Sequence, residues 1–389
     1  MSLIVLLLTA CDGGPTPGET GSPDDSGATP AACDDASGNI CTYAGTGDAG
    51  YYGEGGDRRD AWFYFPTDIE VSPLGNPIIQ DWNNHKIRMV KPDDTVITIM
   101  GTDFVGDGPP DGSDKTPPGA PGTSINLNHP TDAVYFPDGT LLSASWHTHK
   151  VRTWDPATGL VMVHCGATPG FVGDNGDTAV GMLMNQPKAV EIADDGTIYI
   201  LDMRNQRVRA LAPDFTISTV AGNGTKGYAG DGGALTDVNF AFPSGTNPRP
   251  GGSLALADGI LYVSDTENHR IRAIDLAAGS ISTVVGNGTA GFSGDGGAAG
   301  AAQINYVTDI EVLGGKMYIA DTDNSRVRMV DLASGIISTI AGNGTLDYLG
   351  DGGPALDAGL NHPYGLDVGE DGAVYIADTY NHVIRVVYP

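Results

Sequence analysis

Positively charged side chains are scarce in this 389-residue chain, which has 20 lysine and arginine residues against 48 aspartate and glutamate residues. The formal net charge is −28 at pH 7. A field of this sign repels polyanions, so binding to nucleic acid or to an anionic membrane surface is electrostatically unfavourable. Two roles for the acids remain open, namely a diffuse acidic surface and recognition of a cationic partner.

The common catalytic signatures are also missing, since the chain has no GxSxG nucleophile elbow, no HExxH and no CxxC pair. The pattern GxGxxG does occur, beginning at Gly45, Gly222 and Gly286. It indicates dinucleotide binding only between a strand and a helix, where the helix amino terminus receives the pyrophosphate. Here each copy lies in a repeated loop between strands, so we interpret these glycines as turn residues.

Long apolar runs are absent except at the amino terminus, where "MSLIVLLLTAC" ends in Cys11. This run is too short to span a bilayer, and it resembles a bacterial lipoprotein signal in which the cysteine is lipidated. The alternative is a chance apolar start, because positive residues before the run are lacking. Residues 12–40 are rich in glycine, proline, serine and aspartate, a composition that predicts a disordered tether. The predicted domains are therefore a signal segment (1–11), a tether (12–40) and a folded domain (41–389).

Cysteine is rare, with four residues in all. Cys33 and Cys41 are eight residues apart, and in an oxidising compartment they are predicted to form a disulfide that pins the first strand. Cys165 stands where other repeats have small or apolar residues, so we expect it to be buried in a strand.

What the chain has in abundance is internal repetition. A small residue followed by glycine closes each unit, with steps of 56, 65, 56, 64 and 56 residues between Gly45, Gly101, Gly166, Gly222, Gly286 and Gly342. A second marker, DxxNxx(I/V)R, occurs five times, and a degraded sixth copy runs from Ser145 to Arg152. Periods of this size indicate a repeat array.

Each unit contains four short bursts of alternating apolar residues separated by turn formers such as "PDGT" and "GEDGA". This pattern predicts a four-stranded antiparallel sheet, and six such sheets around an axis form a six-bladed β-propeller. The last unit lacks its fourth strand, whereas "ICTYAGTG" at Ile40–Gly47 matches that strand in other units. We therefore expect the amino-terminal strand to complete the last blade and close the ring, burying an open sheet edge.

The sequences "NHKIR", "NHRIR", "NSRVR" and "NHVIR", together with "GDGGPA" and "YIADT", resemble the NHL-repeat β-propellers of bacteria. The resemblance covers nearly the whole chain from about Ile40 and is informative about fold rather than activity. Amidating lyases and calcium-dependent lactonases share related architecture, but their metal ligands find no match at the residues after the inner-strand opening: Thr67, Thr131, Lys188, Ser244, Thr308 and Tyr364.

Acidic residues recur where the first strand of a unit begins. They superpose when counted from the strand opening, and residues two apart on a strand share a face. If that face lines the axis, the carboxyls form an oxygen-rich site suited to calcium. The alternative is structural, with the acids capping backbone amides or pairing with the repeated arginines. The residues are Asp68, Glu70, Asp132, Glu191, Asp309, Glu311 and Asp367.

The second unit departs most from the repeat, with Trp146 and His147 inside its marker. Trp82 precedes the asparagines of the first marker, and His129 and His362 precede inner-strand prolines. Propeller geometry places these loops on one rim, so they predict an aromatic and imidazole patch that binds a ligand. Ordinary repeat drift is the alternative.

These observations favour a non-catalytic binding or scaffold module. It is predicted to be a monomer, lipid-anchored to the inner or outer membrane of a bacterial envelope, that recognises a protein or carbohydrate. The rival hypothesis is a metal-dependent hydrolase or lyase that uses the axial carboxylates, with calcium as the candidate cofactor.

Overall fold

The computed structural model of the chain describes residues 36–73, 75–174, 179–245 and 248–389. Six antiparallel sheets are arranged in chain order, each with four main strands, and together they form a six-bladed β-propeller. This confirms the predicted fold class. Within these described ranges, no helix has the length and apolarity that a membrane crossing requires.

The first three blades have the following strands. Blade 1 contains β2 (Pro66–Val71), β3 (Pro77–Asp81), β4 (Lys86–Val90) and β5 (Val96–Met100). Blade 2 contains β6 (Ala120–Pro121), β7 (Pro130–Tyr135), β8 (Leu141–Ser145), β9 (Lys150–Trp154) and β10 (Leu160–Cys165). Blade 3 contains β11 (Pro187–Ile192), β12 (Ile198–Asp202), β13 (Arg207–Leu211) and β14 (Ile217–Ala221).

The other three blades repeat the arrangement. Blade 4 contains β15 (Leu254–Ala257), β16 (Ile260–Asp265), β17 (Arg270–Asp275) and β18 (Ser280–Val285). Blade 5 contains β19 (Asp309–Leu313), β20 (Lys316–Asp321), β21 (Arg326–Asp331) and β22 (Ile336–Ala341). Blade 6 contains β23 (Gly353–Pro354), β24 (Pro363–Val368), β25 (Val374–Asp378), β26 (Val383–Val387) and β1 (Asn39–Ala44).

Short 3-10 helices punctuate the loops. Those between the second and third strands are Trp82–Asn84, Trp146–Thr148, Met203–Asn205, Thr266–Asn268, Thr322–Asn324 and Thr379–Asn381. The others are Arg58–Asp60, Ser113–Lys115, Gly122–Ser124, Ala179–Gly181, Leu235–Asp237, Ala299–Ala301 and Ala355–Asp357. Because the strands are antiparallel, the first set lies at the end where each inner strand begins. We call this end of the propeller the rim.

The ring closes as predicted. Strand β1 pairs antiparallel with β26, with Ile40 opposite Val387 and Thr42 opposite Arg385. Ile40, Cys41 and Ala44 are buried. Chain ends that are far apart in sequence are thus joined by a sheet ladder, and the edge of blade 6 is covered.

The marker residues hold each blade together. Asp321, for example, accepts hydrogen bonds from the backbone N–H of Asn305 and from Nδ2 of Asn324, and its carboxylate lies 3.5 Å from Arg328. Arg328 is fully buried and also pairs with Asp295 of the preceding loop at 2.7 Å. The repeated aspartates, asparagines and arginines are therefore scaffold.

Candidate functional site

Seven carboxyl groups line one cavity on the propeller axis, and its volume is about 110 Å³. They are the seven acids that the sequence indicated, which the inner strands bring together: Asp68, Glu70, Asp132, Glu191, Asp309, Glu311 and Asp367.

Strand register divides these acids into two layers. The upper layer lies nearer the rim. Each of its acids is opposite, on the neighbouring second strand of its blade, the residue that directly precedes the marker. These acids are Asp68, Asp132 and Asp309. The lower layer lies two residues further along each strand: Glu70, Glu191, Glu311 and Asp367. Gly365 occupies the upper position in blade 6, where a Cβ atom would lie 2.6 Å from Oδ1 of Asp68. Asp68 therefore uses the space that a side chain at residue 365 would need.

Four of the acids join their own blade to the next by accepting a backbone hydrogen bond. The pairs are Asp132 with Val190 N–H (2.6 Å), Glu191 with Leu256 N–H (3.0 Å), Asp309 with Leu366 N–H (2.8 Å) and Asp367 with Val71 N–H (2.6 Å). The amide-capping alternative thus holds for these four residues. The repeated arginines face the markers and outer loops instead, so they do not neutralise the axial acids.

Protonation of the axial acids follows their hydrogen bonding. Burial raises the pKa of Asp132 to about 8, that of Glu191 to about 7 and that of Asp367 to about 6. Burial, reinforced by neighbouring carboxyls, raises the pKa of Asp68 and Glu70 well above the usual range. Asp132, Glu191 and Asp367 accept backbone N–H hydrogen bonds, which favour the charged carboxylate. The rise in the pKa of these three acids is therefore limited.

One cationic side chain lies close to the upper layer. Lys188 is buried, and its charge opposes the effect of burial on the pKa of Asp132 and Asp309. In the part of the chain that the structure describes, no group of three or more histidine, cysteine, aspartate or glutamate side chains has an arrangement that could hold a metal ion. The carboxyls share a cavity without converging on one point.

Four residues of the predicted rim patch do meet between blades 1 and 2. The ring of His129 lies 4.0 Å from that of Trp82 and 4.7 Å from that of His147, measured between centroids. Trp146 stacks on His147 at 4.2 Å. Trp146 is 1% exposed and packs into the core beside Leu201. His129 is buried as well, so solvent reaches the cluster mainly at Trp82 and His147, which are half-buried.

Hydrogen bonds link the imidazoles of the cluster. His129 Nε2 lies 3.4 Å from Oδ1 of Asn83. The Nδ1 atoms of His129 and His147 lie 2.7 Å apart, so one of the two rings donates to the other. Burial lowers the pKa of His129 to about 2 and that of His147 to about 4, so both rings are neutral at pH 7.

His362 lies apart from this cluster. Its ring is 4.7 Å from that of Tyr380, and its Nε2 is 3.9 Å from Asp323 on blade 5. Two further histidines lie beside the cluster, and of these sequence reasoning missed His85. His85 accepts the backbone N–H of His129 through Nδ1, and His149 accepts that of Gln186. Both follow the marker asparagine or its equivalent, a signal that was visible in the repeat.

A second cavity, of about 310 Å³, opens on the rim of blade 2. We call it the blade-2 groove. It is lined by Gly106, Asp107, Asn128, His147, Thr148, His149, Ala167, Thr168 and Pro169.

The predictions for the amino-terminal segment concern residues that the structure mostly leaves out. Cys11 and Cys33 lie outside the described residues, so lipidation and the disulfide stay predictions. Cys41 is buried in β1. Cys165 is a free, buried thiol in β10, and burial raises its pKa to about 12.

Comparison with known proteins agrees with this architecture. A family model described as "Teneurin NHL domain" matches residues 32–275. Among curated proteins, "Protein SUPPRESSOR OF QUENCHING 1, chloroplastic" of Arabidopsis thaliana is 27% identical over 314 residues, which cover 77% of this chain and 28% of that protein. "NHL repeat-containing protein 2" of Bos taurus is 30% identical over 227 residues, covering 53% of this chain and 31% of that protein. The chain thus spans less than a third of the length of these relatives.

Among solved structures, an auxiliary nutrient binding protein from Bacteroides thetaiotaomicron superposes with a TM-score of 0.63 at 14% identity. The match covers 89% of this chain and 75% of that protein. At this level of identity the similarity concerns the fold.

Proposed function

The chain belongs to the Teneurin NHL domain family, and from this premise we propose that it is a non-catalytic binding module that recognises a protein or glycan through the rim of blades 1 and 2. The name of its nutrient-binding structural neighbour is consistent with a binding role. The lipoprotein-like start at Cys11 supports attachment to a bacterial envelope membrane, with the propeller outside the cytoplasm and residues 12–40 as the tether.

The observation that carries this proposal is the Trp82–His129–His147 cluster. Trp82 stands where the last three markers have threonine, and His147 lies in the marker that departs most from the repeat, so the rings are concentrated at one place on the rim. The buried Nε1 atom of Trp82 has no hydrogen-bond partner among the described residues.

Affinity capture from the native envelope tests this proposal. The bait is the folded chain, and the rim variant combines Trp82→Ala with His147→Ala. The matched control is Phe215→Ala, which removes a 55% exposed phenylalanine from the opposite end of blade 3. We expect the wild type and the control to retain the same protein or glycan and the rim variant to lose it. Equal retention by all three folded proteins would overturn the proposal.

A second candidate function is supported by the axial cavity. Seven carboxyls surround about 110 Å³, and hard cations prefer oxygen ligands, although no group of them in the described residues is already arranged to hold a metal ion. The rival proposal is hydrolysis or lyase chemistry that uses such an ion. Its test is elemental analysis of the purified protein, followed by melting in calcium and in chelator. A stoichiometric metal whose removal lowers the melting temperature would favour this candidate, and metal-free protein with no shift would dispose of it.

A further inference from the structure

A hydrogen bond that recurs around the rim joins neighbouring blades, and we call each boundary between two blades a seam. In every marker the residue after the asparagine, or after its equivalent Thr148, has a left-handed backbone conformation. In four of the six blades its side chain accepts a backbone N–H from the loop that leads into the next blade. The six residues at this position are His85, His149, Gln206, His269, Ser325 and His382.

Three of the four acceptors are imidazole Nδ1 atoms. They are His85 with His129 N–H (3.3 Å, blades 1 and 2), His149 with Gln186 N–H (3.0 Å, blades 2 and 3) and His382 with Phe65 N–H (3.2 Å, blades 6 and 1). The fourth is Oε1 of Gln206, which lies 2.8 Å from the backbone N of Phe242 at the seam between blades 3 and 4. We call these four bonds the rim latches, in which histidine and glutamine serve the same purpose.

The backbone partner fixes the protonation state of each latch histidine. A backbone N–H can only donate, so the Nδ1 atom opposite it must present a lone pair. An imidazole that takes up a proton has hydrogen on both ring nitrogens. Two N–H groups would then face each other across the seam, and repulsion would replace the hydrogen bond. The amide of Gln206 does not titrate, so its latch is insensitive to pH.

The surroundings of the three imidazoles keep them neutral. All three rings are half-buried, and burial lowers the pKa of each from 6.5 to about 4. The charged groups nearby are Lys86 at His85, then Lys150, Arg204 and Asp107 at His149, and Asp48 at His382. The other titratable rings nearby are His129 at His85, His147 at His149 and Tyr64 at His382. The cations lower the pKa further, and the two aspartates raise it without offsetting the effect of burial.

We propose that the rim latches are an acid-sensitive device, which holds blades 6, 1, 2 and 3 together at neutral pH and loosens three seams of the ring in acid. This inference concerns the scaffold and does not rest on the proposed binding function. It bears on the rim cluster all the same, because the backbone N–H that His85 accepts belongs to His129. Loosening of that seam is expected to displace His129 from its contact with Trp82.

The direction of the pH dependence follows from proton binding. Between about pH 4 and pH 6.5 the unfolded chain binds protons at the three latch histidines, whereas the folded chain leaves them neutral. The stability that the latches contribute is therefore complete above about pH 6.5 and is lost as pH falls towards 4. The axial acids act in the opposite direction, because their raised pKa favours the folded chain at low pH. A comparison of variants that all keep the axial acids isolates the latches.

The test is a melting series on the full chain from pH 4.5 to pH 8. The triple variant combines His85→Gln, His149→Gln and His382→Gln, which keeps an acceptor at each seam, as Gln206 does, and should preserve folding. A matched pair of single variants is His149→Gln and His269→Gln. His269 stands at the same marker position in blade 4, but its Nδ1 has no hydrogen-bond partner among the described residues.

We expect the melting temperature of the wild type to fall relative to that of the triple variant by roughly 5–10 °C between pH 7 and pH 5. His149→Gln should give about a third of this gain, and His269→Gln should give less. Parallel profiles for the wild type and the triple variant would overturn the inference. An equal gain for His149→Gln and His269→Gln would also overturn it, because the effect would then come from burial rather than from the latch.

A second measurement needs no variant. NMR titration of the wild-type imidazoles should give a pKa near 4 for the three latch histidines, and values at or above 6.5 would overturn the inference. Neither measurement involves a ligand, so a failure here leaves the proposed binding function unaffected.

Discussion

The Nδ1 atoms of His129 and His147, both on the rim of blade 2, lie 2.7 Å apart and are joined by a hydrogen bond. This bond restrains the orientation of His147, which lines the blade-2 groove. The six-fold repeat supplies the frame around this pair, and the departure of blade 2 from the repeat supplies the aromatic and imidazole patch on the rim.

The axial acids should make stability fall as pH rises. The pKa of Asp132 is raised from its usual value to about 8, so between about pH 4 and pH 8 the folded chain binds more protons than the unfolded chain does. Its contribution is fully present below the unfolded pKa and is lost as pH rises towards 8. We expect Asp132→Asn, which keeps an acceptor for Val190 N–H, to flatten this part of the melting profile.

Melting temperatures of the wild type and Asp132→Asn, measured from pH 5 to pH 8.5, check this prediction. The variant should gain on the wild type as pH rises, by roughly 2–4 °C for each kcal/mol. The exposed Asp138→Asn is the control and should run parallel to the wild type. A constant difference between Asp132→Asn and the wild type across the range would contradict the assigned pKa direction.

Strand β1 should be essential to the ring. A chain that begins at Thr46 loses the ladder to β26 and the burial of Ile40, a side chain whose burial is worth about 1.5–3 kcal/mol by itself. We expect a much lower melting temperature and a tendency to aggregate through the open edge. A chain that begins at Ala36 is the control, since it keeps β1. Equal melting of the two truncated chains would show that closure does not depend on β1.

The buried arginines should be far more sensitive than exposed ones. Arg328→Met would leave the buried Asp321 carboxylate without its cation, which costs about 3–5 kcal/mol. Arg59→Ala breaks an exposed pair with Asp57, for which about 0–1 kcal/mol is expected. Urea denaturation of both variants measures the contrast. Similar losses would mean that the Arg328–Asp321 pair is not part of the scaffold.

Two phenylalanines in the loops that precede blades 2 and 5 should respond differently to truncation. Phe292→Ala removes a ring packed against Arg326 and should cost about 1 kcal/mol of unfolding free energy. Phe104→Ala removes an exposed ring and should change stability by no more than about 0.5 kcal/mol. Denaturation curves decide between them, and a larger loss for Phe104→Ala would place that ring in the fold rather than at a binding surface.

Sequence patterns predicted the architecture because every level of the repeat agrees: period, strand alternation, turn chemistry and the displaced strand at Ile40. The axial acids were also predictable, since residues two apart on a strand share a face. The hydrogen-bond partners of these acids could not be predicted from the sequence. The hydrogen bond from Val190 N–H to Asp132, for example, depends on how blades 2 and 3 are inclined to each other. Burial of Trp146 against blade 3 depends on the same packing.

The blade-2 groove left a signal in the sequence that pattern reading passed over. The replacement of the marker asparagine by Thr148 is visible in the repeat alignment. The cavity beside it is not, because its walls come from separate segments of the chain.

The central claim, that the chain binds its ligand at the rim of blade 2, is tested most directly by site-specific photocrosslinking in the native envelope. A benzophenone amino acid is placed at Phe104 or, as control, at Phe215 on the opposite end. We predict a discrete crosslinked product from residue 104, reduced by His147→Ala, and none from residue 215. No product from residue 104, or the same product from both positions, would contradict the account.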